Sequence, residues 1–165
     1  GVGTALHLAG EMVKDQGGLF MTHIPYRGTG LVFTDMMSGQ VHMLMDNYVT
    51  AQSNIKDGKL KVLGVTSPQR LPFLPDVPTL DEQGLKGFDV SNWFGIYVPR
   101  GTPADVVMRV NTAFNQALQD PDMLKRLALL GATPTGSTPE QMGAMVAADK
   151  ARWSKLIRDR KLVVE

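Results

Sequence analysis

A chain of 165 residues is long enough for one substantial core or for two small lobes. Its 43% hydrophobic content is ordinary for a globular protein and excludes disorder as the default. A net charge of +1, from 17 basic and 16 acidic residues, gives no electrostatic reason to expect nucleic acid or an anionic membrane surface, and the absence of cysteine excludes disulfides and thiol chemistry.

The chain starts with Gly1-Val2-Gly3-Thr4 ahead of a helical stretch, Ala5 to Lys14. A first residue that is glycine rather than methionine, already inside a motif, points to a fragment or a processed product. Phe20 to Ile24 is a β-prone run. Gly30 to Ser38 follows as a helix, with Gly39 as its C-cap, and Val41 to Met45 is a second β-prone run. Tyr48 to Asp57 is a weaker helix closed by Gly58, and Lys61 to Thr66 is a third run. Short apolar runs alternating with helices imply βαβ units and a parallel sheet. Pro68, Pro72, Pro75 and Pro78 mark a rigid extended connection, capped by Thr79-Leu80-Asp81-Glu82 and closed by Gly84. A fourth run, Trp93 to Val98, ends at Pro99-Arg100-Gly101.

Three helices complete the chain. Thr102-Pro103-Ala104-Asp105 reads as a cap, a proline at the first helical position and an acid in the first turn. Asp120-Pro121 repeats the signal for a helix ending at Gly131, and Thr138-Pro139-Glu140-Gln141 is a capping box for the last. Met142, Met145, Val146, Trp153, Leu156 and Ile157 share one side of that helix. Asp149 falls on the same stripe, either at its edge or paired inside. The basic residues from Lys150 to Lys161 read as a solvated face, and the ten methionines fall mostly at core-like positions. No apolar run approaches the roughly 20 residues that span a bilayer.

Three places carry candidate chemistry. At Gly3-Thr4, glycine lets backbone approach a ligand, and the N–H groups of a helix start favour an anion beside the Thr4 hydroxyl. The same pattern also serves an ordinary helix start. Tyr26 and Arg27 stand at the carboxyl end of the first run, where open α/β sheets face their ligand crevice. Tyr26 either donates to a ligand or packs, and Arg27 either pairs a carboxylate or is solvated. Asp46-Asn47 follows the second run and either holds a polar group or caps the next helix. His7, His23 and His42 show no metal-ligand spacing and read as structural or surface residues. No Gly-x-Ser-x-Gly elbow, P-loop or recognisable carboxylate pair is present, so the residues give a poor case for an enzyme.

The order of these segments closely resembles one family. It runs from Gly3-Thr4-Ala5-Leu6-His7-Leu8-Ala9-Gly10-Glu11 through His23-Ile24-Pro25-Tyr26-Arg27-Gly28 and Asp46-Asn47 to Gly64-Val65-Thr66-Ser67-Pro68-Gln69-Arg70. It continues through Leu74-Pro75-Asp76-Val77-Pro78-Thr79, Trp93-Phe94-Gly95, Pro99-Arg100-Gly101-Thr102-Pro103, Gly136-Ser137-Thr138-Pro139-Glu140 and Ala151-Arg152-Trp153. The chain thus resembles the Bug-type receptors of tripartite tricarboxylate transporters along essentially its whole length.

The resemblance implies an α/β fold of the type II periplasmic-binding-protein kind, a parallel or mixed sheet with flanking helices, here with incomplete lobes. Residues 1–90 would form most of the second lobe, and residues 91–165 the part that returns to the first. It implies a periplasmic receptor, with no catalysis and no cofactor, that binds a small carboxylate or acidic amino acid and delivers it to a membrane permease. Gly3, Thr4, Tyr26, Arg27, Asp46 and Asn47 would line the crevice, with Phe94 near its mouth. The lone chain is expected to bind ligand weakly or not at all, and to hide its orphan edges as a homodimer or by exchanging elements. The competing readings are an effector-binding domain of a cytoplasmic transcription regulator and a metal-assisted hydrolase using His23, His42 and Asp46.

Overall fold

The computed structural model describes residues 1–163, and among them six helices form. Helix α1, Ala5–Gly17, starts where Thr4 accepts from the His7 N–H and stops at Gly18, in the left-handed conformation at φ 60°. The next two helices are α2, Thr29–Met37, and α3, Tyr48–Lys56. Gly39 and Gly58 turn the chain behind them at φ 79° and 69°, where a Cβ would be strained. Helix α4 is Ala104–Ala117, α5 is Pro121–Leu129 and α6 is Pro139–Asp159.

The caps explain the boundaries. Asp120 accepts from the N–H groups of Asp122 and Met123. Thr138 and Gln141 bond reciprocally through side chain and backbone, as a capping box requires. At α4 the expected arrangement shifts by one residue: Pro103 occupies the cap position, and the Thr102 hydroxyl turns back to donate to Pro99 O at 2.8 Å. Asp149 is paired rather than peripheral, accepting from Trp93 Nε1 and from Arg152, each at 2.7 Å. The terminal basic run is not uniformly solvated either. Arg152 lies over the Trp153 ring, and Arg160 reaches Asp15 at 3.4 Å.

The β-prone runs behave differently. Residues 20–26, 42–46, 61–64 and 91–98 make no backbone–backbone hydrogen bond with another described residue. The one bridge among the described residues is parallel, between Val65 and Thr79. It rests on Val65 N–H to Pro78 O and Leu80 N–H to Val65 O, each 3.0 Å, and Val90 N–H adds a bond to Thr66 O at 2.8 Å. The expected ladder does not form within this chain, because an extended run becomes a strand only when a neighbour takes its N–H and C=O groups.

The chain divides into two units, residues 1–92 with 156 onward, and residues 93–155. Val164 and Glu165, the last residues of the segment expected at 91–165, lie outside the described residues. The core belongs to the first unit: Leu8, Ala9 and Val13 of α1, Val32 and Phe33 of α2, then Val65, Phe88 and Val90. Each such side chain is worth about 1.5–3 kcal/mol when fully buried, alanine excepted. In the second unit none of the described residues is fully buried, and the apolar faces of α4, α5 and α6 are at most half-buried. The methionines are not core residues here: Met37, Met43, Met108, Met123 and Met145 are exposed, and none of the others is fully buried. Met45 lies against Gly10 and Met142 against Gly95, but no described element covers these thioethers fully.

Around the proline-rich connection, Thr79 is 2% exposed and exchanges hydrogen bonds with Glu82, which also takes Arg70 Nε on both carboxylate oxygens. This is a capping box on a turn rather than on a helix. The bond to Arg70, followed by that to the Thr79 N–H, holds Glu82 below the usual carboxylate range. Its stabilising effect is present above the ordinary carboxylate value and is lost as pH falls through the depressed one. Thr79→Val is expected to cost about 1 kcal/mol in urea denaturation, the usual value of such a cap; an unchanged midpoint would contradict this role.

Candidate ligand-binding site

The first unit contains the helix starts on which the candidate residues sit. Gly3 adopts φ 77°, a left-handed turn that brings its N–H within 3.0 Å of His7 Nδ1. Thr4 Oγ1 donates to Gly1 O at 2.8 Å and accepts from the His7 N–H at 3.3 Å. The Gly3 amide and the Thr4 hydroxyl are therefore engaged in building the turn. The N–H groups of Ala5 and Leu6 make no hydrogen bond among the described residues, so these are the donors left for an anion.

Tyr26 donates to Asp35 Oδ2 of α2 at 2.6 Å. That bond, with burial and the carboxylate's charge, raises the phenol above its ordinary value, so its proton is committed and its oxygen remains an acceptor. Arg27 is exposed and makes no hydrogen bond or ion pair among the described residues. Gly28, the N-cap of α2, brings no side chain to that helix start.

Asp46 accepts from the Thr50 hydroxyl at 2.5 Å. Asn47 occupies the N-cap position of α3 without capping it, and its Oδ1 instead accepts from Asn92 Nδ2 at 3.3 Å. The N–H groups of Tyr48 and Val49 thus also make no hydrogen bond among the described residues. Phe94 is 90% exposed and belongs to the other unit.

The histidines connect these elements. The His7 and His23 rings stack at 4.1 Å between centroids, joining the start of α1 to the run that ends at Tyr26. Helix α1 also lies beside the second run, since a Cβ on Gly10 would fall 3.8 Å from Met45 Cγ. No direct contact joins Thr4, Tyr26 and Asp46 themselves among the described residues. Sequence reasoning missed His7, Asp35 and Asn92. The spacing Gly3 to His7, one helical turn, was the available signal for the first; the other two depend on tertiary placement. No three or more metal-binding side chains gather among the described residues.

Residues 1–162 match the family described as the tripartite tricarboxylate transporter family receptor. The chain belongs to that family. It is 38% identical over 163 residues to a protein from the clcB-clcD intergenic region of Pseudomonas knackmussii, covering 98% of this chain and 96% of the relative. Other curated relatives are about twice as long: the chain spans 48% of the one from the tcbD-tcbE intergenic region of Pseudomonas sp. strain P51, at 38% identity and 98% of this chain. Among solved structures it is similar to R. palustris Rpa4515 with adipate, with a TM-score of 0.85 and 32% identity over 98% of this chain and 54% of that one. It is also similar to the periplasmic binding protein BugD, with a TM-score of 0.82 and 36% identity over 98% of this chain and 55% of that one. The family consists of solute-binding receptors rather than enzymes, with the fold of these binding proteins.

Removing the Tyr26 hydroxyl leaves Asp35 without its donor and loosens α2 from the preceding run. Tyr26→Phe is expected to lower the urea midpoint, since a hydrogen bond to a carboxylate is lost. A variant as stable as the parent would show that this bond does not position α2.

Proposed function

We propose that this chain supplies one wall of the ligand crevice of an extracytoplasmic solute receptor, which binds a small dicarboxylate and hands it to the permease of a tripartite transporter. The observation that carries this reading is the set of helix starts in the first unit: α1 and α3 each leave two N–H groups without an internal partner among the described residues, and α3 follows a β-prone run. Such starts carry partial positive charge and hydrogen-bond carboxylates without needing a cationic side chain. Arg27 adds a free guanidinium near a third start, that of α2. Gly3 and Thr4 shape the first wall, Tyr26 offers an acceptor and Asn47 an amide, while Asp46 orders the first turn of α3 through Thr50. Phe94 is proposed at the crevice mouth.

The adipate held by the R. palustris relative suits this chemistry, with one carboxylate for each of two helix starts. Family membership and the likeness to BugD support periplasmic residence, and no helix among the described residues is long and apolar enough to cross a membrane. Residues 1–90 are proposed as most of one lobe, and the later residues as the return to the other. The opposite wall would come from further chain, as in the longer relatives, or from a second copy of this one.

Thr4→Ala and Asp46→Ala test the assignment in a receptor that carries both walls. Each is expected to weaken adipate binding about tenfold by calorimetry, because the turn before α1 or the first turn of α3 then no longer holds its free amides in place, without lowering the melting temperature by more than a few degrees. Unchanged affinity in both would remove these residues from the crevice.

A further inference from the structure

We propose that His7 is a positioning residue for the ligand wall: its neutral imidazole, stacked on His23, holds the Gly1–Thr4 turn, and its protonation releases that turn. The ligand consequence rests on the carboxylate-wall reading above, whereas the latch itself does not.

The geometry demands one protonation state. The Gly3 N–H donates to His7 Nδ1 at 3.0 Å, so Nδ1 must present a lone pair and the proton must sit on Nε2. Nε2 lies 3.9 Å from Glu11 Oε1, on the side where a proton is electrostatically welcome but not hydrogen-bonded. Protonating Nδ1 would set N–H against N–H at Gly3. Gly3 is at φ 77°, and nothing else among the described residues accepts its N–H, so the turn has no second bond to fall back on at that amide.

The surroundings push the same way. His7 side-chain exposure is 6%, and the stacked His23 ring would place a second cation 4.1 Å away if both were charged. Burial first, and then His23, lower the His7 value; Glu11 opposes them, while the terminal ammonium of Gly1 and Lys14 add to the lowering. Glu11 is largely spoken for, with Lys14 Nζ at 2.6 Å and Arg160 at 4.0 Å, so it offers little to an imidazolium. Since the folded chain holds this proton less tightly than the unfolded one, the contribution to stability is complete above the ordinary histidine value. It is lost as pH falls below that value towards the lowered one.

Arranged in this way, the two histidines couple the donors at Ala5 and Leu6 to the run carrying Tyr26 and Arg27. Acidification would loosen the start of α1 and that run together while leaving the core of α1, at Leu8, Ala9 and Val13, packed.

The test is an NMR titration of the intact chain between pH 8 and pH 5, following the His7 and His23 ring nitrogens and the Gly3 amide. The expected result is that the Gly3 amide shifts with the His7 ring at one midpoint below the ordinary histidine value of about 6.5. His7→Phe, which keeps an aromatic ring for the stack but has no acceptor, should leave the Gly3 amide flat. His23→Leu should raise the His7 midpoint. A Gly3 amide that stays still while His7 titrates, or that titrates unchanged in His7→Phe, would overturn the latch. With adipate as probe, affinity one pH unit below the midpoint should be about tenfold weaker than at pH 8, after subtracting the change seen in His7→Phe, because only about a tenth of the chain then holds the turn. Equal affinities after that subtraction would overturn the coupling to ligand. Failure of adipate to bind at any pH in a receptor that carries both walls would count against the carboxylate reading, and the Gly3 titration of this chain would still decide the latch.

Discussion

Glu11 is the interaction on which the first unit depends. Its carboxylate sits at 4% exposure in the middle of α1, on the face that also buries Leu8. A buried carboxylate is tolerated only with partners, and removing one partner of such a pair typically costs about 3–5 kcal/mol. Lys14 supplies the close contact at 2.6 Å from one turn away, and Arg160, beyond the end of α6, approaches from 145 residues later than Asp15, which it also meets. The last part of the described chain is thereby tied to the first helix. His7 completes the arrangement one turn before Glu11, so the same helix face that anchors the tail also holds the Gly3 turn. Placement of the helix start, and with it the orientation of its free amides, follows from that buried charge.

A second constraint shapes everything outside the core. Extended runs with unpaired backbone carry exposed apolar side chains, among them Phe20 at 95% exposure and Phe94 at 90%. The second unit holds α4, α5 and most of α6; α5 and α6 start at side-chain caps, yet none of the described apolar side chains on these helices is fully buried. Local structure is therefore complete where tertiary burial is not. Helix caps need only a few neighbouring residues, whereas strands and helix faces need a partner surface. The longer relatives carry about as much chain again, and a partner surface of that size would bury these runs and faces. The receptor function proposed above and the burial of these faces then have the same requirement: a ligand crevice needs two walls, and these edges need neighbours.

How far this was legible in the sequence depends on the range of the interaction. The caps at Thr4, Asp120 and Thr138 and the glycine stops at Gly39 and Gly58 were readable, because each is decided within about four residues. Thr79 and Glu82 were readable as a box, although the box closes a turn and not a helix. Gly3-Thr4 was found as a glycine-rich helix start, and Tyr26 and Asp46-Asn47 from their places after β-prone runs, but their partners were not. Tyr26 to Asp35 and Asn47 to Asn92 span 9 and 45 residues, and no local pattern encodes them. Periodicity marked the methionines as core without showing that their faces lack a covering layer. The histidines read as inert for a related reason: a metal site has a spacing signature, whereas two stacked rings brought together by packing do not.

The central claim is that a carboxylate meets the free amides at the start of α1. Amide shift mapping during titration of the chain with adipate tests it most directly, and it remains sensitive when binding is weak. The account predicts saturable shifts concentrated at Ala5 and Leu6, with a second group at Tyr48 and Val49. Saturable shifts confined to other parts of the chain, with these four amides unmoved, would contradict it.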